Sequence, residues 1–163
     1  MIDRYFSLPN SAGTLQFSGA VLEHIYSYAQ IKRNDKEAGG QLFSMTPHKK
    51  LVVISLATGP NSNDTRSMTH FNPCLRQLNK DRERLFNDGF HAVGLWHTHP
   101  ESTPNPSNED RITTLKYLEA FNGDMSGFIQ VIIGNNCSLE SLCVWLASTD
   151  KNNRWVKLKE VKI

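Results

Sequence analysis

The stretch G-L-W-H-T-H-P-E-S-T-P-N-P-S-N-E-D, residues 94–110, decides how this chain is read. Its front half ends a β-rich run, residues 91–97. Its middle cannot be regular structure, because residues 100–106 hold three prolines, and each fixes φ and removes a donor. Ser107 then opens a helix. His97 and His99 stand two apart where the strand ends, so their side chains share one face, about 6.5–7 Å apart at the backbone. Two imidazoles so placed can converge on one metal at about 2.0–2.1 Å. Alone, the pair is equally read as two polar residues on a half-exposed strand. Asp110 lies in the first turn of the following helix, where its carboxylate can turn back toward the strand end. Two imidazoles and one carboxylate leave a fourth position open, the pattern of a catalytic zinc site and not of a closed structural one. Ser107 and Asp110 alone resemble a capping box, which needs no metal. Cap and site can coexist, since a fixed helix start also fixes the ligand.

Outward from this stretch the chain alternates strands and helices. Residues 14–17 read as a short strand. Ser18 or Gly19 caps a new periodicity, in which Val21, Leu22, Ile25, Tyr28 and Ala29 recur at three and four. This predicts an amphipathic helix that ends near Lys32. Residues 39–45 and 51–57 are β-rich and flank a turn at 47–50, predicting a hairpin. Residues 59–66 are polar and turn-rich, and 68–71 form a short strand. A helix over 74–88 carries Leu75, Leu78, Leu85 and Phe86 on one face and residues 80–84, Asp81 among them, toward solvent; Gly89 ends it. The helix from Ser107 turns Ile112, Leu115, Leu118 and Phe121 inward. Residues 128–133, F-I-Q-V-I-I, suit a strand buried on both faces. Residues 142–147 and 155–163 are further strands, the last a lysine-bearing edge. The fold class is α/β or α+β, with a single mixed sheet and about three helices.

The 163 residues suit one domain spanning 1–163. The chain is 39% hydrophobic and 21% charged, too apolar for disorder. Its net charge of +2 is too weak to argue for nucleic acid or an anionic membrane as partner. No window approaches the roughly 20 apolar residues of a membrane span, and no signal-peptide stretch opens the chain. Cys74, Cys137 and Cys143 are odd in number and widely spaced, which argues against a disulfide framework or a cysteine zinc site. The expectation is a cytoplasmic protein. Trp96, Trp145 and Trp155 read as core. His24, His48, His70 and His91 have no partner pattern.

The run His97-x-His99, seven residues, then Ser107-x-x-Asp110 resembles the JAMM signature of the JAB/MPN-plus zinc metalloproteases. The family places a glutamate upstream beside a glycine pair, and Glu37-Ala38-Gly39-Gly40 fits. The order of elements over about residues 13–148 is similar as well. The resemblance implies a JAB/MPN (cytidine-deaminase-like) architecture and one zinc per chain held by His97, His99 and Asp110. It further implies that Glu37 is the general base and that Ser107 faces the developing oxyanion. Ala57-Thr58-Gly59-Pro60-Asn61, Thr65-Arg66, Phe71-x-Pro73 and the Trp96–Pro100 run resemble the small bacterial JAB proteases found beside E1/E2-like proteins in antiviral CBASS operons. That implies a substrate with an extended C-terminal tail, a ubiquitin-like modifier or a protein conjugated by E1/E2-like enzymes. Residues 59–66 and 122–126 are then candidate rims of its groove.

Alternatives stay open. A catalytically silent scaffold of the same fold and a peptidase of sulfur-carrier proteins share the architecture. Other zinc hydrolases fit less well. Pro100, Glu101 and Ser102 follow His99 where metallo-β-lactamases need D-H. The chain is short for an amidohydrolase barrel, typically about 250 residues. The P-C-x-x-C of zinc deaminases is missing.

Overall fold

A computed structural model describes residues 1–120, 125, 127–136, 138–149 and 154–162. In chain order the elements are β1 (Arg4–Ser7), β2 (Thr14–Phe17), α1 (Gly19–Tyr26), β3 (Gly39–Ser44), β4 (Leu51–Ile54), β5 (Leu56–Ala57), β6 (Thr65–Arg66), β7 (Phe71–Asn72), α2 (Leu75–Asn87), β8 (His91–Thr98), α3 (Asn108–Ala120), β9 (Phe128–Ile133), β10 (Leu142–Ala147), β11 (Trp155–Lys157) and β12 (Lys159–Val161). The fold is α+β, with three α-helices among the described residues. None is long and apolar enough to cross a membrane.

The single sheet expected from the sequence is divided. A six-stranded sheet runs β11-β10-β9-β8-β3-β5, a four-stranded one β12-β1-β2-β4, and β6 pairs β7 apart from both. Each of the larger sheets is mixed: β8 and β9 run parallel in one, β2 and β4 in the other. Two runs that read as continuous strands cause the division. Residues 51–54 pair with β2, while residues 56–57 pair with β3. The expected hairpin therefore changes sheets at Ser55. Residues 155–157 pair with β10 and 159–161 with β1, the change falling at buried Leu158. The partners that pull these runs apart lie far off in sequence, so local periodicity does not show them. The strands β1 and β6 are additions to the elements expected from the sequence, and the strand expected over 68–71 forms only at Phe71–Asn72, pairing with β6.

The sheets enclose one core with α1. Phe6, Leu15 and Phe17 from one sheet meet Trp96, Val131 and Val144 from the other, and Leu22 and Ile25 fill between. The helix starts as expected, with the Ser18 hydroxyl accepting from the Val21 N–H at 3.3 Å. It stops at Tyr26, well short of the expected end near Lys32. The chain there bends toward a turn in which the Asp35 carboxylate accepts from the Lys32 N–H at 2.7 Å. Tyr28 and Ala29 pack on the core from this non-helical segment.

The other two helices are rotated from their expected faces. In α2 the buried stripe is Leu78, Asp81 and Leu85, whereas Leu75 and Phe86 are exposed. Asp81 is held there by the Gln77 amide at 3.1 Å. In α3 the inward residues are Thr114 and Leu118, and Ile112 is 56% exposed. Spacing of four from Asp110 runs through Thr114 to Leu118, so the helix faces the sheet along the line that holds Asp110 to the strand end. Phe121 and Cys137 lie outside the described residues, as does the 122–126 connection apart from Met125. Cys74 and Cys143 are free thiols.

Candidate metal centre

Alternation along β8 sorts the site from the core. Trp96 and Thr98 turn into the interior, 1% and 0% exposed, and His97 and His99 take the opposite face. Trp96 donates its indole N–H to the Thr58 carbonyl at 2.9 Å, the supporting core role expected of it. Thr98 fixes the strand end: its N–H donates to the Ala38 carbonyl at 2.9 Å and its hydroxyl accepts from the Ala38 N–H at 3.0 Å. The His99 N–H donates to the Ile133 carbonyl at 2.8 Å. Both imidazoles are thereby anchored through their backbones.

The helix start supplies the third group. The Ser107 N–H donates to Asp110 Oδ2 at 2.6 Å, and the Asp110 N–H donates to Ser107 Oγ at 3.1 Å. This reciprocal pair is a capping box in which the acid is aspartate. It leaves Asp110 Oδ1 3.1 Å from His97 Nε2, and Oδ2 3.5 Å from His99 Nε2. The two Nε2 atoms are 2.9 Å apart. Donors held at about 2.0–2.1 Å from one tetrahedral ion lie roughly 3.3 Å from one another, so the observed triangle has the size of one face of such a shell. Two nitrogens and one carboxylate oxygen are also the donor types a borderline cation takes. The donor set fits a metal. The three side chains keep 12, 13 and 17% of their surface exposed, enough to leave one side of the triangle open.

The charges agree with a site made for a cation. Burial pushes the Asp110 carboxyl up, but the hydrogen bonds from His97, His99 and Ser107 outweigh it and hold the group well below the usual carboxylate range. For His99, burial works against the charged ring. The hydrogen bond and charge of Asp110, with Glu101 and Glu37, reverse this and raise its pKa. Glu101 Oε2 lies 3.1 Å from His99 Nδ1 and holds the ring with Nε2 toward the cluster.

Glu37 reaches the site through the sheet. Gly39 pairs with His97 and Gly40 with Trp96 in antiparallel register, so two residues further on Glu37 comes opposite His99. Side chains are excluded from the glycine pair: a Cβ on Gly39 would fall 2.7 Å from the Trp96 carbonyl oxygen, and one on Gly40 would overlap that of Thr58. The strand entry is held by Arg66, whose Nε donates to the Glu37 carbonyl at 2.6 Å. The Glu37 carboxyl is pushed up to about 7. Burial is the main cause, opposed by the charges of His99 and His70 and reinforced by those of Asp110 and Glu101.

Glu37, His97, His99, Ser107 and Asp110 line one cleft of about 620 Å³, which continues past Phe71, Leu75 and Tyr117. All five residues singled out in the sequence are thus brought together. The rim differs from expectation. Residues 59–66 do not line the cleft among the described residues, whereas residues 69–73, His70 included, do. Of the other histidines, His24 bonds the Gly59 carbonyl at 2.8 Å and packs edge-on against Trp96, and His91 packs against Phe86. Sequence reasoning misses Gln130 and Thr114, which stand behind His97. A signal for Gln130 exists: it is the one polar residue in the buried run 128–133.

Comparison with known proteins agrees with this geometry. A model described as prokaryotic homologs of the JAB domain matches residues 20–152. A CD-NTase/cGAS isopeptidase of Pseudomonas aeruginosa is 33% identical over 129 residues, covering 75% of this chain and 78% of that one. Proteins of the same description from Vibrio cholerae (33% over 98 residues) and Escherichia coli (30% over 94) are matched over 57% and 53% of this chain, and over 61% and 57% of their own lengths. A solution structure of a protein from Desulfitobacterium hafniense superposes with a TM-score of 0.59 at 20% identity, covering 90% of this chain and 89% of that one, and shares the fold. The matched segment holds the glycine pair, both histidines and the capped aspartate, and the chain belongs to the prokaryotic JAB-domain family.

Proposed function

We propose that this chain is a zinc-dependent isopeptidase that cuts the bond joining the C-terminus of one protein to an amine of another. The observation that carries the reading is the convergence of His97, His99 and Asp110 to within 4.8 Å beside Glu37, in one cleft. His97, His99 and Asp110 would hold one zinc ion. When bound, that ion supplies Lewis acidity and brings the pKa of water down to about 7.

The remaining steps belong to the protein. Glu37 accepts a proton from the attacking water and passes it to the departing lysine amine. A carboxyl near pH 7 suits this exchange, because it is ionised often enough to accept and acidic enough to return the proton. The Ser107 hydroxyl spends a lone pair on the Asp110 N–H and keeps its hydrogen, which it donates to the carbonyl oxygen as negative charge grows there. The cleft beyond the site takes the extended tail of the substrate, with residues 69–73 as one wall. Relatives named CD-NTase/cGAS isopeptidase point to a conjugated nucleotidyltransferase as that substrate, and so to a CBASS-type defence role.

The test is to incubate the purified protein with a nucleotidyltransferase joined through its C-terminus to a target lysine. The conjugate should be released with zinc present and stay intact with a chelator or with Glu37→Gln. Cleavage that survives chelation, or a wild-type protein that binds zinc and cuts no such conjugate, would overturn the assignment.

A further inference from the structure

Behind His97 lies a polar chain that neither the capping box nor the proposed proton transfers use. Gln130 and Thr114 are 2% and 0% exposed, on β9 and α3. Gln130 stands beside Leu95 in the parallel register, on the face that carries His97. Its amide terminus is 2.8 Å from His97 Nδ1, and its other end is 2.6 Å from Thr114 Oγ1. That hydroxyl is also 2.8 Å from the Asp110 carbonyl oxygen. Two buried polar side chains therefore connect the backbone of one proposed ligand with the ring of another.

The direction of these bonds follows from counting hydrogens. With Gln130 Nε2 toward His97, the Thr114 hydroxyl faces two oxygens, Gln130 Oε1 and the Asp110 carbonyl, and it has one hydrogen. Turning the amide by half a revolution removes the conflict. Gln130 Nε2 then donates to Thr114 Oγ1, and Thr114 donates to the Asp110 carbonyl. Gln130 Oε1 faces His97 Nδ1 and accepts its hydrogen. Only a 3.3 Å contact to the Val131 carbonyl is forfeited. With the hydrogen held on Nδ1, a neutral His97 turns a lone pair on Nε2 toward His99 and Asp110, in place of the Nε2–H that bonds Asp110 in the metal-free cluster.

We infer that Gln130, set by Thr114, is a positioning residue that selects the His97 tautomer able to bind a metal and locks α3 to β9 at the site. The inference rests on the metal-centre reading above. In such sites the ring nitrogen away from the ion usually donates to a fixed acceptor, and loss of that acceptor weakens metal binding about 10–100-fold.

The test measures zinc affinity by competition with a chromophoric chelator for the wild type, Gln130→Met, Gln130→Glu and Thr114→Val. The fold of each metal-free variant is followed by circular dichroism. Gln130→Met should weaken binding about 10–100-fold. Thr114→Val should shift it the same way by less. Gln130→Glu keeps the acceptor for Nδ1–H but loses the donor to Thr114, so it should bind zinc more tightly than Gln130→Met and no better than Thr114→Val, a partial rescue that shape alone does not explain. In the zinc-loaded wild type the His97 Nδ1–H resonance should exchange slowly with solvent. Wild-type affinity in Gln130→Met, or Gln130→Glu binding as weakly as Gln130→Met, overturns the inference. Should Gln130→Met not fold, wild-type affinity in Thr114→Val together with weak binding in Gln130→Glu overturns it equally. A wild-type protein that binds no zinc instead overturns the metal-centre reading beneath it.

Discussion

Asp110 does two things with one carboxylate, and substitution can separate them. Its Oδ2 accepts the Ser107 N–H at 2.6 Å, and its Oδ1 lies 3.1 Å from His97 Nε2. The amide introduced by Asp110→Asn keeps an oxygen for the cap but loses the charge and the second oxygen. Asp110→Ala loses both. A missing helix cap costs about 0.5–2 kcal/mol. A four-ligand zinc site is worth about 10–16 kcal/mol, or about 2.5–4 kcal/mol per ligand, which is a factor of about 10²–10³ in affinity. Asp110→Asn should therefore keep the cap, lose metal-free only the stability that its ionised carboxylate draws from His97 and His99, and bind zinc about 10²–10³ more weakly. Asp110→Ala should show the same loss of zinc and a further loss of about 1 kcal/mol in stability. Thermal unfolding in chelator gives the first quantity, and chelator competition gives the second. Wild-type zinc affinity in Asp110→Asn would remove Asp110 from the ligand set. Equal stability of the two variants would remove the capping role.

Glu37→Gln should retain zinc but lose about 10²–10⁴ in turnover, checked by metal content and cleavage of the same sample. Its stability should also depend differently on pH. The folded pKa of Glu37 is raised from 4.5 to about 7, so the native state holds the extra proton and loses stability as pH climbs between those values. In chelator, denaturant titrations from about pH 5 to 8 should show this decline in the wild type and less of it in Glu37→Gln; identical slopes would contradict the burial of a charge there. Gly40→Ala places a methyl on the Thr58 carbonyl and should cost about 1–3 kcal/mol, measured by urea unfolding. Zinc at about 100 times its dissociation constant adds about 2.7 kcal/mol to the native state, so chelation should lower Tm by about 5–10 °C; an unchanged Tm would mean no tight site.

The candidate site is largely legible in the sequence because its residues are close in sequence or bound to a rigid spacing. His97 and His99 share a strand face at any strand length, and Ser107 with Asp110 closes a helix start by local geometry alone. Glu37 is legible only through the resemblance, since it lies far from His97 in sequence and nothing local says that Gly39 will pair there. The same gap hides the sheets. Residues 51–57 have one continuous apolar pattern, yet the partners that divide them, Thr14–Phe17 and Gly39–Ser44, are set by long-range pairing. The faces of α2 and α3 depart from the hydropathy pattern because Asp81 and Thr114 are buried on hydrogen bonds. Polar residues on an inward face look like solvent-side residues until their partners are known.

The chain passes from one sheet to the other at Ser55 and again at Leu158, so the sheets are laced together at two separate points. Fraying β4 drags on β5, and fraying β12 drags on β11. The two layers are therefore joined by the chain itself at Ser55 and Leu158 as well as by the side chains packed between them. The strand ends that carry His97 and Gly39 thus belong to a layer stitched twice to its neighbour, at sites far apart in the sequence.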